Sequence, residues 1–433
     1  MTLPIDQPFR LTPPPSGDIR MPNIPPHTVR LLPNGVRLCV LPGGAQPVVK
    51  VEVSVRAGTA RSERAAVARA AASLLTEGTE AHSAQEIAET LDFFGASIVP
   101  SCSLARVSLA AVSLQRDVRK VVDLLSEILL RPAYPDGELD IYKAQELQNL
   151  EVQKMRSSNV ASKLIAQTLY DDGDRRARFA TRESFEALTP ALLSGFHGEA
   201  YVPNDAYVFV SGRPSDADVE FIAETFGSES WASGESWAAP KPRFRQGAHR
   251  RMVEHDGEQT SVRIARPLFD RKHPDFIPFQ LVNAAFGGYF GSRIMQNVRE
   301  RLGLTYGIYS AVAVGNYCGT HSISSEVKTG SHEVVVEEVF REMRRMADSL
   351  LSEREMQTMR GYLLSEILRN FDTVFTTADA IFDLLLNGVD TSVLVELYDA
   401  VRCVGEEELR SVAARWLVPE EYSVVCVGKG VQG

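Results

Sequence analysis

Arg299 and Tyr306 are the two side chains of this sequence whose types and spacing best suit chemistry on a peptide. They stand seven residues apart, on either side of Gly303. An arginine offers a forked donor to a carbonyl or a carboxylate, and a tyrosine hydroxyl can donate to a developing oxyanion. The pair could therefore bind a peptide and stabilise a tetrahedral intermediate. The alternative is structural: Arg299 pairs with Glu300 or another acid nearby, and Tyr306 is a core residue of a strand.

No recognised hydrolytic motif accompanies this pair. The eight histidines are scattered, and no two of them are three or four residues apart. His255 opens a His-Asp-Gly-Glu run, but its Asp-Gly step favours a turn over a helix. The sequence also lacks a G-x-S-x-G elbow, a phosphate-binding P-loop and a G-x-G-x-x-G fingerprint. A self-sufficient hydrolase would therefore need a metal site that no motif reveals.

The elements that position the pair can be predicted from residues 286–309, which read FGGYFGSRIMQNVRERLGLTYGIY. A glycine turn opens this stretch. Apolar periodicity then predicts a helix over residues 292–301, and aromatic and β-branched residues predict a strand over 305–314. A G-G-x-x-G turn could bind phosphate at a helix N-terminus, but that use needs a preceding strand. Here a helix is predicted before the turn, over residues 276–286.

The predicted elements repeat along the chain. A strand at residues 108–113 matches one at 322–327, and a helix at 117–130 matches one at 332–346. A repeat this long indicates two homologous domains, because solenoid repeats are only 20 to 50 residues long. Residues 33–35 form a Pro-Asn-Gly hairpin turn, and regular βαβ alternation is missing. We therefore expect an α+β fold in which each domain is a mostly antiparallel sheet packed with helices.

Composition divides the chain into four parts. Residues 1–28 contain eight prolines, which predict an extended arm. This arm either lies against the folded body or a partner chain, or is a mobile tail. Residues 29–226 form the first domain and residues 249–433 the second. Between them, residues 227–248 are rich in Ser, Gly and Pro and contain two tryptophans, which predicts a linker pinned to a surface.

Net charge and cysteine content limit the kinds of partner and the cellular compartment that we expect for this protein. The net charge of −10, with acids and bases mixed, argues against nucleic acid as the main partner. Five cysteines without a CxxC pair suit free thiols in a reducing compartment. No run of 18 apolar residues predicts a membrane span, and the N-terminus lacks the apolar segment of a signal peptide. We expect a cytoplasmic protein, or a periplasmic one if a signal peptide has been removed.

The stretch at residues 286–309 resembles the second-half signature of the M16 peptidases, the insulinase-like or inverzincin family. It matches G-G-x-F-x-S-R, and then G-L-T-Y at residues 303–306. The resemblance extends over about residues 29–430 and implies the LuxS/MPP-like fold of that family. It also implies that Arg299 and Tyr306 reach the substrate in an active site that the other half completes.

The other half should carry the zinc motif H-x-x-E-H. Two histidines on one helical face hold the metal in this motif, and the glutamate acts as general base. In the family the motif precedes a helix end that resembles residues 76–79 here. Counting back places Arg69, Ala72 and Ser73 at the positions of the first histidine, the glutamate and the second histidine. Residues 28–81 contain no histidine, so we expect no metal in this chain.

In the M16 family, short two-domain chains can work as pairs in which one subunit carries zinc and the other the Arg/Tyr pair. The sequence looks like the metal-less subunit. The resemblance implies a zinc-bearing M16-like partner, although a homodimer is an alternative, and a peptide substrate that adds as a strand to a sheet edge. Two other functions stay open: a structural or peptide-binding scaffold similar to processing-peptidase α subunits, and a self-sufficient metallopeptidase.

Overall fold

The computed structural model describes residue 17 and residues 19–315 and 318–431. Most of the predicted arm therefore lies outside the described residues. The strands are β1 Thr28–Leu31, β2 Arg37–Pro42, β3 Val48–Val55, β4 Ser97–Cys102, β5 Val107–Leu114, β6 Tyr207–Gly212, β7 Arg250–Glu254, β8 Gln259–Leu268, β9 Thr305–Val314, β10 Gly319–Lys328 and β11 Ser423–Gly428.

The α-helices are α1 Val67–Ser73, α2 Ala84–Phe94, α3 Val118–Leu130, α4 Asp136–Lys154, α5 Ser157–Leu169, α6 Arg182–Glu186, α7 Pro190–Ala200, α8 Asp216–Phe226, α9 Phe276–Asn283, α10 His332–Asp348, α11 Glu353–Arg369, α12 Val374–Leu386, α13 Ser392–Cys403 and α14 Glu406–Trp416. Two π-helical segments, Ala284–Gly288 and Met295–Arg301, follow α9.

The strands form two sheets with the same topology. The first has the order β1-β2-β6-β3-β5-β4, and the second has the order β7-β11-β8-β10-β9. In each sheet one pair is parallel, β2 with β6 and β7 with β11, and the remaining pairs are antiparallel. The second sheet therefore repeats the first without β1. The expected α+β fold with two homologous, mostly antiparallel domains is confirmed, and the parallel pairs make both sheets mixed.

Alternating burial shows that one face of each sheet is more deeply buried than the other. Burial alternates strictly along β5 and through most of β10, so every second side chain faces a helical layer. The helix α3 covers the first sheet with residues such as Val121 and Leu125, and α10 covers the second with Val335 and Val339. Two separate apolar cores result, one in each half.

The two halves also exchange one helix each. The helix α5 belongs to the first half, but Ala161 packs against Val425 and Val427 of β11. The helix α12 belongs to the second half, but Phe382 stacks on Phe209 of β6 with ring centroids 4.2 Å apart. Each sheet is thus covered on one face by its own helices and on the other by a helix of the other half.

The linker at residues 227–248 and the described part of the N-terminal arm lie against the folded body. Residues 227–248 contain no helix or strand, and Trp231 is buried with its indole N–H donating to the carbonyl of Tyr201 at 2.8 Å. Of the arm, Ile19 accepts a hydrogen bond from the Tyr398 hydroxyl at 2.8 Å, and Met21 packs on the second core. The described part of the arm therefore contacts the second half.

Candidate functional site

Arg299 lies in the π-helical segment that precedes β9. The helix expected over residues 292–301 is present from residue 293, and its main part, Met295–Arg301, is π-helical. The amide of Leu302 donates to the carbonyl of Asn297, five residues back, at 3.1 Å. Met295 and Val298 of this segment are buried in the second core. Apolar periodicity could not reveal the wider turn, because α- and π-turns bury nearly the same positions over so short a segment.

Gly303 makes the turn between Arg299 and Tyr306. Its φ is +64°, in the left-handed region that side-chain-bearing residues avoid. The Gly303 amide donates to the carbonyl of Arg299 at 3.0 Å, and the Leu304 amide donates to that of Val298 at 3.1 Å. These bonds satisfy carbonyls at the end of the helical segment and direct the chain into β9.

Tyr306 lies near the start of β9, and its side chain projects into solvent. It is 87% exposed, and its hydroxyl makes no hydrogen bond within the described parts of the chain. The alternative that Tyr306 is a core residue is therefore wrong. Among the strands that the structure describes, β9 pairs only with β10, so Tyr306 stands on an edge strand. Beside it, the Thr305 hydroxyl donates to the carbonyl of Glu326 at 2.7 Å and so anchors the start of this strand.

Arg299 has two neighbours, an aromatic ring and a carboxylate. Its guanidinium carbon is 4.6 Å from the ring centroid of Phe290, within cation–π range. Its Nε is 3.4 Å from Oε1 of Glu300, so the ion pair of the structural alternative is present. A third of the Arg299 side chain stays exposed, at 33%. That Arg299 and Tyr306 bind a substrate stays a prediction.

The glycine turn before this segment serves packing. A Cβ on Gly287 would approach Cδ1 of Ile294 to 2.5 Å and Oγ of Ser310 to 2.6 Å. Glycine is therefore required where the turn passes close to β9. The turn follows α9 and not a strand, so it lacks the setting of a phosphate-binding loop.

The positions predicted to correspond to the zinc motif lie on α1. Arg69 and Ser73, four residues apart, are both exposed, while Ala70 and Ala71 are fully buried. Ala72, at the position of the general base, is 1% exposed. The spacing that a metal needs is present, but a guanidinium and a hydroxyl replace the imidazoles. These residues do not fit a zinc ion, which requires neutral nitrogen, thiolate or carboxylate ligands.

The described residues hold no alternative metal centre. Across residues 19–315 and 318–431, no three His, Cys, Asp or Glu side chains group closely enough to hold an ion. His255 lies between β7 and β8, outside any helix, and its Nε2 is 2.8 Å from the carbonyl oxygen of Lys154. The His-Asp-Gly-Glu run is therefore not helical, as predicted, but it forms an irregular loop with a bend at Glu258 and not a defined turn.

Arg69 and Ser73 border a cavity of about 540 Å³ in the first half. Its other walls come from α4, from α5 and from residues 175–185. Sequence reasoning missed this cavity. The available signal was the basic run at residues 175–178, which reads Arg-Arg-Ala-Arg, but nothing local shows that this run folds against α1.

The structure thus has a two-domain α+β fold with duplicated sheets, Tyr306 on the edge strand β9 and Arg299 in the helical segment that precedes it. Residues 44–180 match "Insulinase (Peptidase family M16)", and residues 187–363 match "Peptidase M16 inactive domain". Together the two matches cover well over half of the chain, which belongs to the M16 peptidase family.

Several curated relatives carry the name uncharacterized zinc protease. The chain is 25% identical to one from Mycobacterium leprae over 350 residues, which is 77% of this chain and 78% of the relative. It is 21% identical to one from Bacillus subtilis over 356 residues, which is 81% of this chain and 85% of the relative.

Solved structures share the fold. An M16 inactive-domain protein from Pseudomonas fluorescens superimposes with a TM-score of 0.85 at 22% identity, covering 94% of this chain and 98% of that one. A protease from Helicobacter pylori superimposes with a TM-score of 0.82 at 15% identity, covering 94% of this chain and 100% of that one. No helix in the described part of this chain is both long enough and apolar enough to cross a membrane.

Proposed function

We propose that this chain is the non-catalytic subunit of a zinc-dependent M16-type peptidase. In this proposal Arg299 and Tyr306 bind the substrate and stabilise the transition state at a zinc ion held by a partner chain. The observation that carries it is the contrast between the two halves. Tyr306 is exposed on an edge strand, whereas Arg69, Ala72 and Ser73 occupy the positions predicted for the two histidine ligands and the base of the metal motif.

The surroundings of Tyr306 support peptide binding. An edge strand offers unpaired backbone groups, to which an extended peptide can add as a further strand. Phe290 and Tyr309 are 52% and 49% exposed in the same part of the molecule and could pack against apolar side chains of the peptide. Arg299 stands next to Phe290, so a cation and apolar surface are available together.

The partner in this proposal is a zinc-bearing M16-like chain with an intact H-x-x-E-H motif. The relatives named zinc proteases support zinc chemistry in the family, and the metal is assigned to the partner because α1 does not fit it. We place the pair in the cytoplasm, since all five cysteines of this chain are free thiols.

A reconstitution experiment tests the proposal. Each chain is purified alone, and peptide cleavage is measured for each and for their mixture, with and without a zinc chelator. We expect cleavage only in the mixture, and loss of cleavage with the chelator. Full activity of the zinc-bearing chain alone would reject the proposal.

One observation favours a second function, a structural or peptide-binding scaffold. Arg299 is already engaged by Phe290 and Glu300, as a purely structural arginine would be. In that case the partner is fully active alone, and Arg299→Ala has no effect on turnover. A third function, a self-sufficient metallopeptidase, requires stoichiometric zinc in the isolated chain, which elemental analysis of the purified protein measures.

A further inference from the structure

The cavity beside the degenerate zinc helix is lined by an excess of positive charge. Among the described residues, six basic side chains and one acidic side chain, Glu146, line it. The basic residues come from three separate parts of the first half: the segment before and within α1, the helix α5, and the loop after it. They are Arg64, Arg69, Lys163, Arg175, Arg176 and Arg178.

Three of these cations have no carboxylate to neutralise them. Arg64, Arg69 and Lys163 make no ion pair with any residue that the structure describes, whereas Arg176 is paired with Asp174 at 3.1 Å. Lys163 instead lies over the ring of Phe179, with its Nζ 5.9 Å from the centroid. Like charges that share a partly enclosed space repel each other, and a bound anion relieves that repulsion.

Two further cations are held in place by main-chain carbonyls. Arg175 donates to the carbonyl of Arg61 at 3.0 Å, and Arg178 donates to that of Ser62 at 2.5 Å. Arg175 also pairs with the exposed carboxylate of Glu63 at 3.7 Å. Arg178 forms no ion pair among the described residues, and carbonyls orient its guanidinium without cancelling its charge. The pKa of Arg178 is lowered, first by burial and then by the charge of Arg175. The cavity is therefore preorganised as well as positive, so a ligand need not order these side chains.

The remaining wall is aromatic and contains an unsatisfied hydroxyl. Tyr142, Phe179 and Phe185 line the cavity, and Tyr142 is 9% exposed. The Tyr142 hydroxyl lies near Ser73, but none of the described residues pairs with it at hydrogen-bond distance. A buried hydroxyl without a partner costs free energy, so a ligand oxygen that accepts from it would be stabilised.

We propose that this cavity is a binding site for a small organic anion that carries a carboxylate or phosphate group. The volume of about 540 Å³ lies within the range of small-molecule sites. Arg69 and Lys163 would contact the oxyanion, while Phe179 and Tyr142 would pack against the body of the ligand. The position that holds a metal cation in zinc-bearing chains of the family would here hold the opposite charge. The site belongs to the isolated chain and does not depend on the peptidase function proposed above.

Calorimetry on the full chain tests this site. Inorganic pyrophosphate is titrated into the protein in a phosphate-free buffer at low and at high ionic strength. We expect one saturable site whose affinity falls as salt is added, because screening weakens charge–charge attraction. A titration without saturable heat, or with an affinity that salt does not change, would overturn the proposal.

Two variants and a matched control locate the site. Arg69→Gln and Lys163→Gln should each weaken pyrophosphate binding by about tenfold, the usual order for one charge-assisted hydrogen bond. Lys120→Gln changes an exposed lysine of α3 outside the cavity and should bind as the unmodified protein does. Thermal unfolding of all three should be unchanged, which separates lost binding from lost folding. Equal binding by all three variants would place the anion elsewhere and reject this cavity.

Competition against bound pyrophosphate shows whether the natural ligand is the C-terminal carboxylate of a peptide or a free small molecule. Two peptides of identical sequence are compared, one with a free C-terminal carboxylate and one with a C-terminal amide. Displacement by the acid alone assigns the site to a peptide terminus, and displacement by neither assigns it to a free phosphorylated or carboxylated molecule. Equal displacement by both peptides would contradict recognition of the anion.

Discussion

Arg299 and Tyr306 differ in how freely they can meet a ligand. Tyr306 is 87% exposed and can contact a substrate without breaking any interaction. Arg299 must first loosen its contact with Glu300, at 3.4 Å, or bind while stacked on Phe290. An exposed ion pair is worth only about 0–1 kcal/mol, so an incoming carboxylate or carbonyl can replace Glu300 at little cost.

The role of the Tyr306 hydroxyl can be tested by removing its oxygen atom. Tyr306→Phe should lower the kcat of the reconstituted peptidase by about a hundredfold, the usual loss for one oxyanion donor. KM should change little, because the ring is kept. Tyr362→Phe, which removes the same atom from a half-buried tyrosine of α11 outside the proposed peptide-binding surface, is the control and should leave kcat unchanged. If both variants turn over substrate at the same rate as the unmodified complex, Tyr306 has no role in the reaction.

A buried histidine predicts how stability depends on pH. His321 is fully buried between the Tyr422 hydroxyl at 2.6 Å and the side-chain oxygen of Asn283 at 3.0 Å. Burial, followed by the charge of Arg266, lowers the pKa of His321 to about 3. The folded protein therefore keeps this histidine neutral at a pH where the unfolded chain protonates it.

Between its unfolded pKa of about 6.5 and about 3, His321 should make the protein less stable as the pH falls. From pH 7 to pH 5 the loss from this one group is about 2 kcal/mol. Urea unfolding of the unmodified protein and of His321→Gln at both pH values measures it. The variant should lose less stability over this interval, and an identical loss in both proteins would show that His321 does not couple folding to pH.

At the scale of single elements, Arg293 joins three parts of the second half. It donates to Glu355 at the start of α11 at 2.7 Å, to the carbonyl of Arg345 near the end of α10, and to that of Leu350. Glu355 also forms a capping box with Ser352. Burial would raise the pKa of Glu355, but hydrogen bonds from Arg293 and Ser352 outweigh it and lower this pKa to about 2.

Glu355→Gln should destabilise the protein by about 1–2 kcal/mol, which is less than for a fully buried pair because a third of the Glu355 side chain is exposed. The loss follows from leaving the buried Arg293 without its counter-charge. Since the folded pKa is depressed, this contribution is present above about pH 4.5 and disappears as the pH falls towards 2. Glu353→Gln in the same turn is the control. Equal unfolding free energies for the two variants at pH 7 would contradict this role for Glu355.

Some elements could be predicted from sequence because their signals are local. The Ser83 and Glu86 capping box and Gly95 mark both ends of α2, and the structure shows both features. Other elements have no such signal. The edge strand β4 reads Ser-Ile-Val-Pro-Ser-Cys, and β7 reads Arg-Arg-Met-Val-Glu. Neither sequence shows apolar alternation. In the π-helical segment, Asn297 donates to the carboxylates of Glu338 and Glu342, contacts that are far apart in the sequence.

At the scale of the whole molecule, the helix exchange joins the two halves. Since α5 covers the second sheet and α12 covers the first, each half completes the apolar layer of the other. The repeat in the sequence predicted the duplicated domains, because corresponding strands and helices of the two halves have similar sequence patterns. It could not predict the exchange, the parallel strand pairs or the basic cavity, because each brings together residues far apart in sequence that share no local pattern.

Cleavage in the linker should therefore leave the two halves associated. Residues 232–236 are exposed and form no helix or strand, so a protease site inserted there should be cut readily. The two fragments should still elute together in size-exclusion chromatography. Fragments that separate at once would show that the exchanged helices contribute little.

A variant of the stacked pair Phe209 and Phe382 tests whether the exchanged helix α12 holds the two fragments together. Phe382→Ala should cost about 3–5 kcal/mol of unfolding free energy, since it removes a buried aromatic ring from the junction. In the cleaved protein this variant should let the fragments separate. Phe93→Ala, which changes a ring that is 83% exposed on α2, is the control and should leave them associated.

The central claim is that this chain completes an active site whose metal another chain holds. The most direct measurement is the zinc-dependent cleavage of a peptide by this chain, by an M16-like chain with an intact H-x-x-E-H motif encoded beside it, and by the two mixed. We predict no turnover from either chain alone and turnover from the mixture, which Tyr306→Phe in this chain reduces. Turnover by the zinc-bearing chain alone that this chain does not increase would contradict the claim.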